Sequence, residues 1–358
     1  MLAHPTLQLA AVLSFIAPTL CAAADLPRVA PESLAWTAGS GFSFPQAKKP
    51  EKVRQSLSGI ACPPPVGVAR RCVAAFDEGV EARYVVIDGQ TLRPEPDRIV
   101  LLPNGKELDA EGAARDGDVV YITGSHAPKR GDCSANPDSR HVLRLAIDPS
   151  NGRSIADKAS DDKGNLWKLM GGHSVLGEFV GENTCLGASN HNLADHKAHA
   201  IDIEGLAAKA GNLYFGFRGP AKEGKALILR VAAEPLFAGG DARLQLFTFA
   251  VDEGRSIRDL LAVPEGILIL EGPDDDSPPV DWRLAFWDGT GTGTGPVIPI
   301  TPKNLATLDL TKVALGNCDK ELKPEAIALL EDGSDFRRLL VLSDGMCDGG
   351  PMSFRIPK

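Results

Sequence analysis

Six carboxylates stand at matching places along this chain. Asp109 and Glu111, Asp202 and Glu204, Asp259, and Glu325 each open a short apolar run, and Lys197, Arg218 and Arg258 lie close to the same openings. Carboxylates gathered with basic residues have two chemistries open to them. Several oxygen ligands together hold a hard cation such as calcium, and Asp202 with Glu204 are the first residues expected to do so. Like-charged carboxyls also raise one another's pKa, which makes an acid/base couple. A third use is structural, because a carboxylate at the start of a strand can accept backbone N–H groups of a neighbouring strand and lock the two together. The expected ligand contacts are Lys197, Glu204, Arg218, Arg258, Asp259 and Glu325.

Other stretches carry weaker signals. His191, His196 and His199, with Asp195 and Asp202, offer donors for a transition metal, although a polar surface loop has the same composition. Pro273-Asp274-Asp275-Asp276-Ser277 is an acidic inter-strand loop that reads as a solvated turn or a weak calcium site, without the spacing of an EF-hand loop. The Gly/Thr run from Gly289 to Gly295 has no Lys-Ser/Thr ending and reads as a flexible hairpin or linker. Gly172-His173-Ser174-Val175-Leu176 has Leu176 where a nucleophile elbow needs glycine, which argues against a serine hydrolase.

The elements that must position these residues are strands. A small or acidic opening, an apolar run, a polar turn and a second apolar run recur from Leu57 onward. The openings are Leu57-Ser58-Gly59-Ile60-Ala61, then Leu108 to Ala114, Ile203-Glu204-Gly205-Leu206-Ala207, Ile257 to Ala262, and Lys323 to Ala328. Spacings of roughly 50–65 residues match a four-stranded propeller blade with loops. The longer gap from Asp109 to Asp202 holds either a degenerate blade around Leu166 to Val180 or an insertion. Ser174 to Val180 and Leu305 to Val313 are short helices at most. The reading is an all-β propeller of five or six four-stranded blades over residues 57–358, with a pair of β-sandwiches as the rival. Residues 25–56 precede it, and Gly41 to Phe44 are expected to close the ring by pairing with Ser353 to Ile356.

The 358-residue chain has a formal net charge of −9 and no basic block, which excludes nucleic acid as a partner. Residues 1–24 read as a secretory leader, with an apolar stretch from Leu7 to Ala17 and small residues Ala22-Ala23-Ala24 before the cut. Leu20 spoils a lipoprotein signal at Cys21, and no later stretch is apolar enough to span a bilayer. The expected location is periplasmic or secreted. Cys62, Cys72, Cys133, Cys185, Cys318 and Cys347 remain, an even set suited to disulfides. Loop-closure entropy favours Cys62–Cys72 and Cys318–Cys347, which leaves Cys133–Cys185.

The IEGLA opening at Ile203 to Ala207, Arg218-Gly219-Pro220, and PEAIAL at Pro324 to Leu329 resemble an uncharacterised family of exported bacterial proteins. That domain-of-unknown-function group consists of propellers distantly similar to phytase-like propellers termed "esterase-like". The resemblance covers residues 57–356. The phytase-like propellers hold calcium over a phosphate with carboxylate clusters, so calcium is the cofactor the resemblance implies. The expected function is binding of a small polar or anionic ligand, or of an envelope protein, at the mouth of the central channel. The alternative is a calcium-dependent hydrolase of phosphoric or carboxylic esters. Asp202, Glu204, Asp259 and Glu325 would then hold the ion while Lys197, Arg218 and Arg258 receive the anion.

Overall fold

Strands such as Gly266–Pro273 and Phe336–Asp344 are buried on both faces along most of their length. Such strands need cover on both sides, and a ring of sheets packed face to face supplies it. In the computed structural model, residues 26–33, 39–65, 69–156, 159–182, 184–186, 199–220, 224–274 and 280–358 are described. They wind into five antiparallel sheets, each starting with an innermost strand that contacts the innermost strands on either side.

Blade 1 comprises Leu57–Ala61, Ala69–Phe76, Glu81–Asp88 and Thr91–Val100. Blade 2 comprises Ala110–Asp116, Val119–Gly124, Val142–Ala146 and Ser160–Asp161. Blade 3 comprises Asp202–Lys209, Asn212–Gly219, Lys225–Ala232 and Gln245–Ala250, with Val297–Pro299 added in parallel at its outer edge. Blade 4 comprises Arg255–Val263, Gly266–Pro273, Arg283–Trp287 and Lys303–Leu308. Blade 5 has Lys323–Asp332, Phe336–Asp344 and Met352–Pro357. Side chains alternate along each strand, so every blade feeds a hydrophobic cluster on each side, and five clusters fill the five gaps between blades.

The long gap before blade 3 holds an insertion. A helix, Asn165–Gly171, and a short 3-10 turn, Leu176–Phe179, bury Leu166, Met170, Leu176 and Phe179 against the cluster between blades 2 and 3. Five blades therefore account for the described residues. Leu305 to Leu308, expected at most as a helix, belong to the outer strand of blade 4.

Ring closure differs from the expectation. Gly41 to Phe44 form no strand. Gly39 and Gly41 take positive φ angles of 52° and 77°, which break an extended run. The aromatic rings are buried instead: Phe42 and Phe44 each meet Phe76 edge-on at 5.0 Å, between blades 5 and 1. The N-terminal segment reaches the sheets elsewhere. Ser33 bridges Ser353 on blade 5, and Arg28–Val29 pairs in parallel with Thr307 and Leu308 of blade 4.

All three expected disulfides are formed, with Cα–Cα distances of 4.3 Å for Cys62–Cys72, 5.0 Å for Cys133–Cys185 and 5.8 Å for Cys318–Cys347. They suit an oxidising compartment. Among the described residues no helix is long and apolar enough to cross a membrane. The leader read in residues 1–24 lies outside the described residues.

Candidate ligand site at the channel mouth

Each innermost strand slips register once near its start. The residues skipped are Ser58, Glu111, Glu204, Arg258 and Glu325, one per blade, and blade 3 has a second irregularity beside Asp202. A bulge re-aims the extra side chain, and four of these five meet through direct contacts. Arg258 forms an ion pair with Glu325, and its guanidinium lies 3.4 Å from Glu204 Oε2. Arg218, from the second strand of blade 3, donates to Glu204 Oε1 at 2.9 Å. Ser58 Oγ donates to Glu325 Oε2 at 3.4 Å. Glu111 joins them because the ligand oxygens of Glu111, Glu204 and Glu325 all lie within 4.8 Å of one another.

The residue after each bulge faces the neighbouring strand, where space is short. A Cβ on Gly59 would come within 2.7 Å of the Ala113 amide, and one on Gly112 within 2.8 Å of Leu206 Cβ. Glycine or alanine fills this place in four blades, and Asp259 fills it in blade 4. Its carboxylate accepts the amides of Leu260 at 2.7 Å and Ile327 at 2.8 Å, and also that of Leu206. Asp259 is therefore a staple between blades 3, 4 and 5, the locking role, rather than part of the axial cluster. Burial pushes its carboxyl well up, and the three N–H bonds oppose that shift.

Three glutamates and two arginines share this buried ring, so its charge is nearly balanced from within. Burial, opposed by Arg258 and reinforced by the charge of Glu204, lifts Glu325 from its ordinary 4.5 to about 8. The folded protein then holds a proton at Glu325 that the unfolded chain releases above its ordinary value. This contribution to stability is complete below about pH 4.5 and lost as pH rises through about 8. Thermal melts from pH 5 to pH 8.5 are expected to fall more steeply for the wild type than for Glu325→Gln. Parallel curves would rule out the buried proton.

A second triad overlaps the first. Asp77, Asp109 and Glu111 bring their oxygens within 4.8 Å of one another. Asp77 directly follows the second strand of blade 1, and Asp109 precedes the inner strand of blade 2 with a positive φ of 59°. Asp109 accepts Ser125 Oγ, and Asn136 Nδ2 at 3.5 Å. Burial first, then Asp109, pushes Asp77 well up, and burial followed by Glu204 does the same to Glu111. No lysine or arginine forms an ion pair with any of these three among the described residues. The Glu111 carboxylate makes no hydrogen bond among the described residues, and the residue is half-buried. Glu204, only 3% exposed, has an Oε2 that accepts no hydrogen bond. An all-oxygen donor set with unused lone pairs fits a hard cation such as calcium better than a transition metal.

The other expected residues fall into place around this. Asp202 is buried opposite Gly219 and belongs to neither triad. Lys197, His191, His196 and Asp195 lie outside the described residues, as do Asp275 to Ser277. His199 is described and joins no metal-type cluster among the described residues. His141, Asp161 and Asp162 also lie close together. Their groups are occupied locally: His141 Nδ1 contacts Asp161 Oδ1 at 2.9 Å, and Asp162 accepts the amides of Val142, Gly164 and Leu166. Sequence reading missed Asp77. The one signal available was an acidic residue at the end of a second strand: Asp77 directly follows Ala69–Phe76, and Asp344 ends the corresponding strand of blade 5.

Comparison with known proteins adds a family and a shape. The model of a family described as "Protein of unknown function (DUF3616)" matches residues 156–349. No curated protein matches the sequence. Among solved structures, a GH43 endo-arabinanase from Bacillus licheniformis is 11% identical, with 88% of this chain and 96% of that one covered and a TM-score of 0.40. An alpha-L-arabinofuranosidase from Lactobacillus brevis is 12% identical, with 85% and 90% covered and a TM-score of 0.44. An exo-1,5-alpha-L-arabinanase from a bovine ruminal metagenomic library is 9% identical, with 84% and 92% covered and a TM-score of 0.35. At these values the likeness carries no residue and no activity across.

Proposed function

This chain belongs to the DUF3616 family of proteins of unknown function, and we propose that its channel mouth binds a small polar ligand through a divalent cation held by Asp77, Asp109 and Glu111. The observation that carries this reading is the Glu111 carboxylate, shared by two carboxylate triads and without a hydrogen-bond partner among the described residues. A bound hard cation would neutralise the triad and offer coordination positions to oxygen atoms of the ligand. Arg218 and Arg258 are paired with Glu204 and Glu325, so they act as a fixed floor and the ligand is assigned to the cation. Three disulfides support export, with residues 1–24 as the leader.

Calorimetric titration with calcium, magnesium or manganese chloride is expected to give saturable heat. A cation at about 100 times its Kd would add about 2.7 kcal/mol of stability, read as a rise in Tm. Glu111→Gln and Asp77→Asn should each abolish both signals while the protein stays folded. An absence of heat and Tm shift at millimolar cation, or a full response in folded Glu111→Gln, would overturn the proposal.

A further inference from the structure

We propose that the opposite end of the bore is a second binding site, for an uncharged and mainly apolar small molecule. Two residues beyond each axial residue, the inner strands contribute Ile60, Ala113, Leu206, Leu260 and Ile327 to the wall of a cavity of about 390 Å³. The spacing is the same in all five blades, so the chamber begins about 7 Å along the axis from the carboxylate ring at an ordinary strand rise. None of Ser58, Glu111, Glu204, Arg258 and Glu325 lines it. Its volume falls within the usual range of about 300–1,000 Å³ for small-molecule sites.

The chemistry of the rim selects the ligand. Four charged side chains reach the cavity, and each already has a partner. Lys209 Nζ donates to the carbonyls of Val263 and Pro264. Arg115 Nε donates to the Gly117 carbonyl at 2.8 Å. Asp116 accepts the Gly211 amide at 2.7 Å, and Asp332 pairs with Lys358 at 2.7 Å and Arg337 at 3.2 Å. A charged ligand would have to break these contacts, whereas an apolar one leaves them intact. The inner strands' edge backbone groups can hydrogen-bond water, but alanine, leucine, isoleucine, valine and proline supply most of the wall, and covering that apolar surface favours an apolar ligand. This site shares no residue with the cation site proposed above.

The test uses the disulfide-bonded protein and N-phenyl-1-naphthylamine, an uncharged apolar fluorophore. Its fluorescence is expected to rise saturably with one molecule bound per chain. Ala262→Trp fills the chamber from a half-buried position in its wall and should weaken binding at least tenfold. Leu261→Asn, also half-buried in the wall, places an amide in the chamber and should weaken binding similarly, which covers the case in which the tryptophan variant does not fold. Lys303→Ala, on the exposed outer strand of blade 4, should leave the affinity unchanged. A non-saturable rise, or wild-type affinity in either folded chamber variant, would overturn the assignment.

Discussion

Arg258→Met is expected to destabilise the protein by about 3–5 kcal/mol at pH 7.5, the usual effect of removing one partner from a buried ion pair. Arg258 is 2% exposed, Glu204 3% and Glu325 5%, so water cannot take over the lost interaction. Methionine has a comparable apolar reach, so the loss is electrostatic rather than a cavity effect. The deleted guanidinium bridges two carboxylates whose remaining partners are Arg218 on Glu204 and Ser58 on Glu325. Glu325→Gln is expected to cost far less, because the amide is nearly isosteric, its oxygen still accepts from Arg258, and the buried charge that Arg258 must balance is then that of Glu204. Urea unfolding followed by tryptophan fluorescence separates the two variants. Acidification should narrow the gap between Arg258→Met and the wild type, since a protonated carboxyl no longer needs a counter-charge. A loss below about 1 kcal/mol at pH 7.5, set against the range above, would mean that the ring is hydrated or neutral and that Arg258 does not hold it together.

The propeller was legible because its axial positions repeat. SGIA, EGAA, EGLA, RDLL and EAIA are one register read five times, and each begins one to three residues from the start of an inner strand. The same register contained a clue about Asp259. It follows the axial residue by one position, where the other blades have Gly59, Gly112, Gly205 and Ala326, and so it faces neighbouring strands instead of the axis. Treating every acidic opening as equivalent hid that offset. Asp77 was not legible, because it enters the site from the end of a second strand and only the closed ring carries it to Asp109 and Glu111. Gly41 to Phe44 misled for a different reason. Alternating aromatics look like a strand face, but φ at Gly41 and burial against Phe76 make them a plug between two blades. The Asp109–Asp202 spacing left a degenerate blade and an insertion both open, since spacing alone cannot tell one from the other, and a helix-bearing insertion stands there.

Asp259→Ala is the second substitution expected to have a large effect, about 2–6 kcal/mol from two buried inter-blade amides losing their acceptor, at about 1–3 kcal/mol each. The amides belong to Leu206 in blade 3 and Ile327 in blade 5, so one carboxylate in blade 4 holds the inner strands on both sides. A propeller has no central core beyond its innermost strands, and losing this staple loosens the ring where the axial residues are aligned. Asp259→Asn keeps one acceptor oxygen and should fall between alanine and the wild type. Global stability alone would not distinguish a staple from an ordinary buried acid. Hydrogen exchange does: in Asp259→Ala the Leu206 and Ile327 amides should lose protection well beyond the rest of their strands. Because the staple aligns Glu204 and Glu325 through the residues beside them, the same variant should also flatten the pH dependence assigned to Glu325. Unchanged protection at Leu206 and Ile327 in a folded Asp259→Ala protein would reject the staple and return Asp259 to the set of ligand residues.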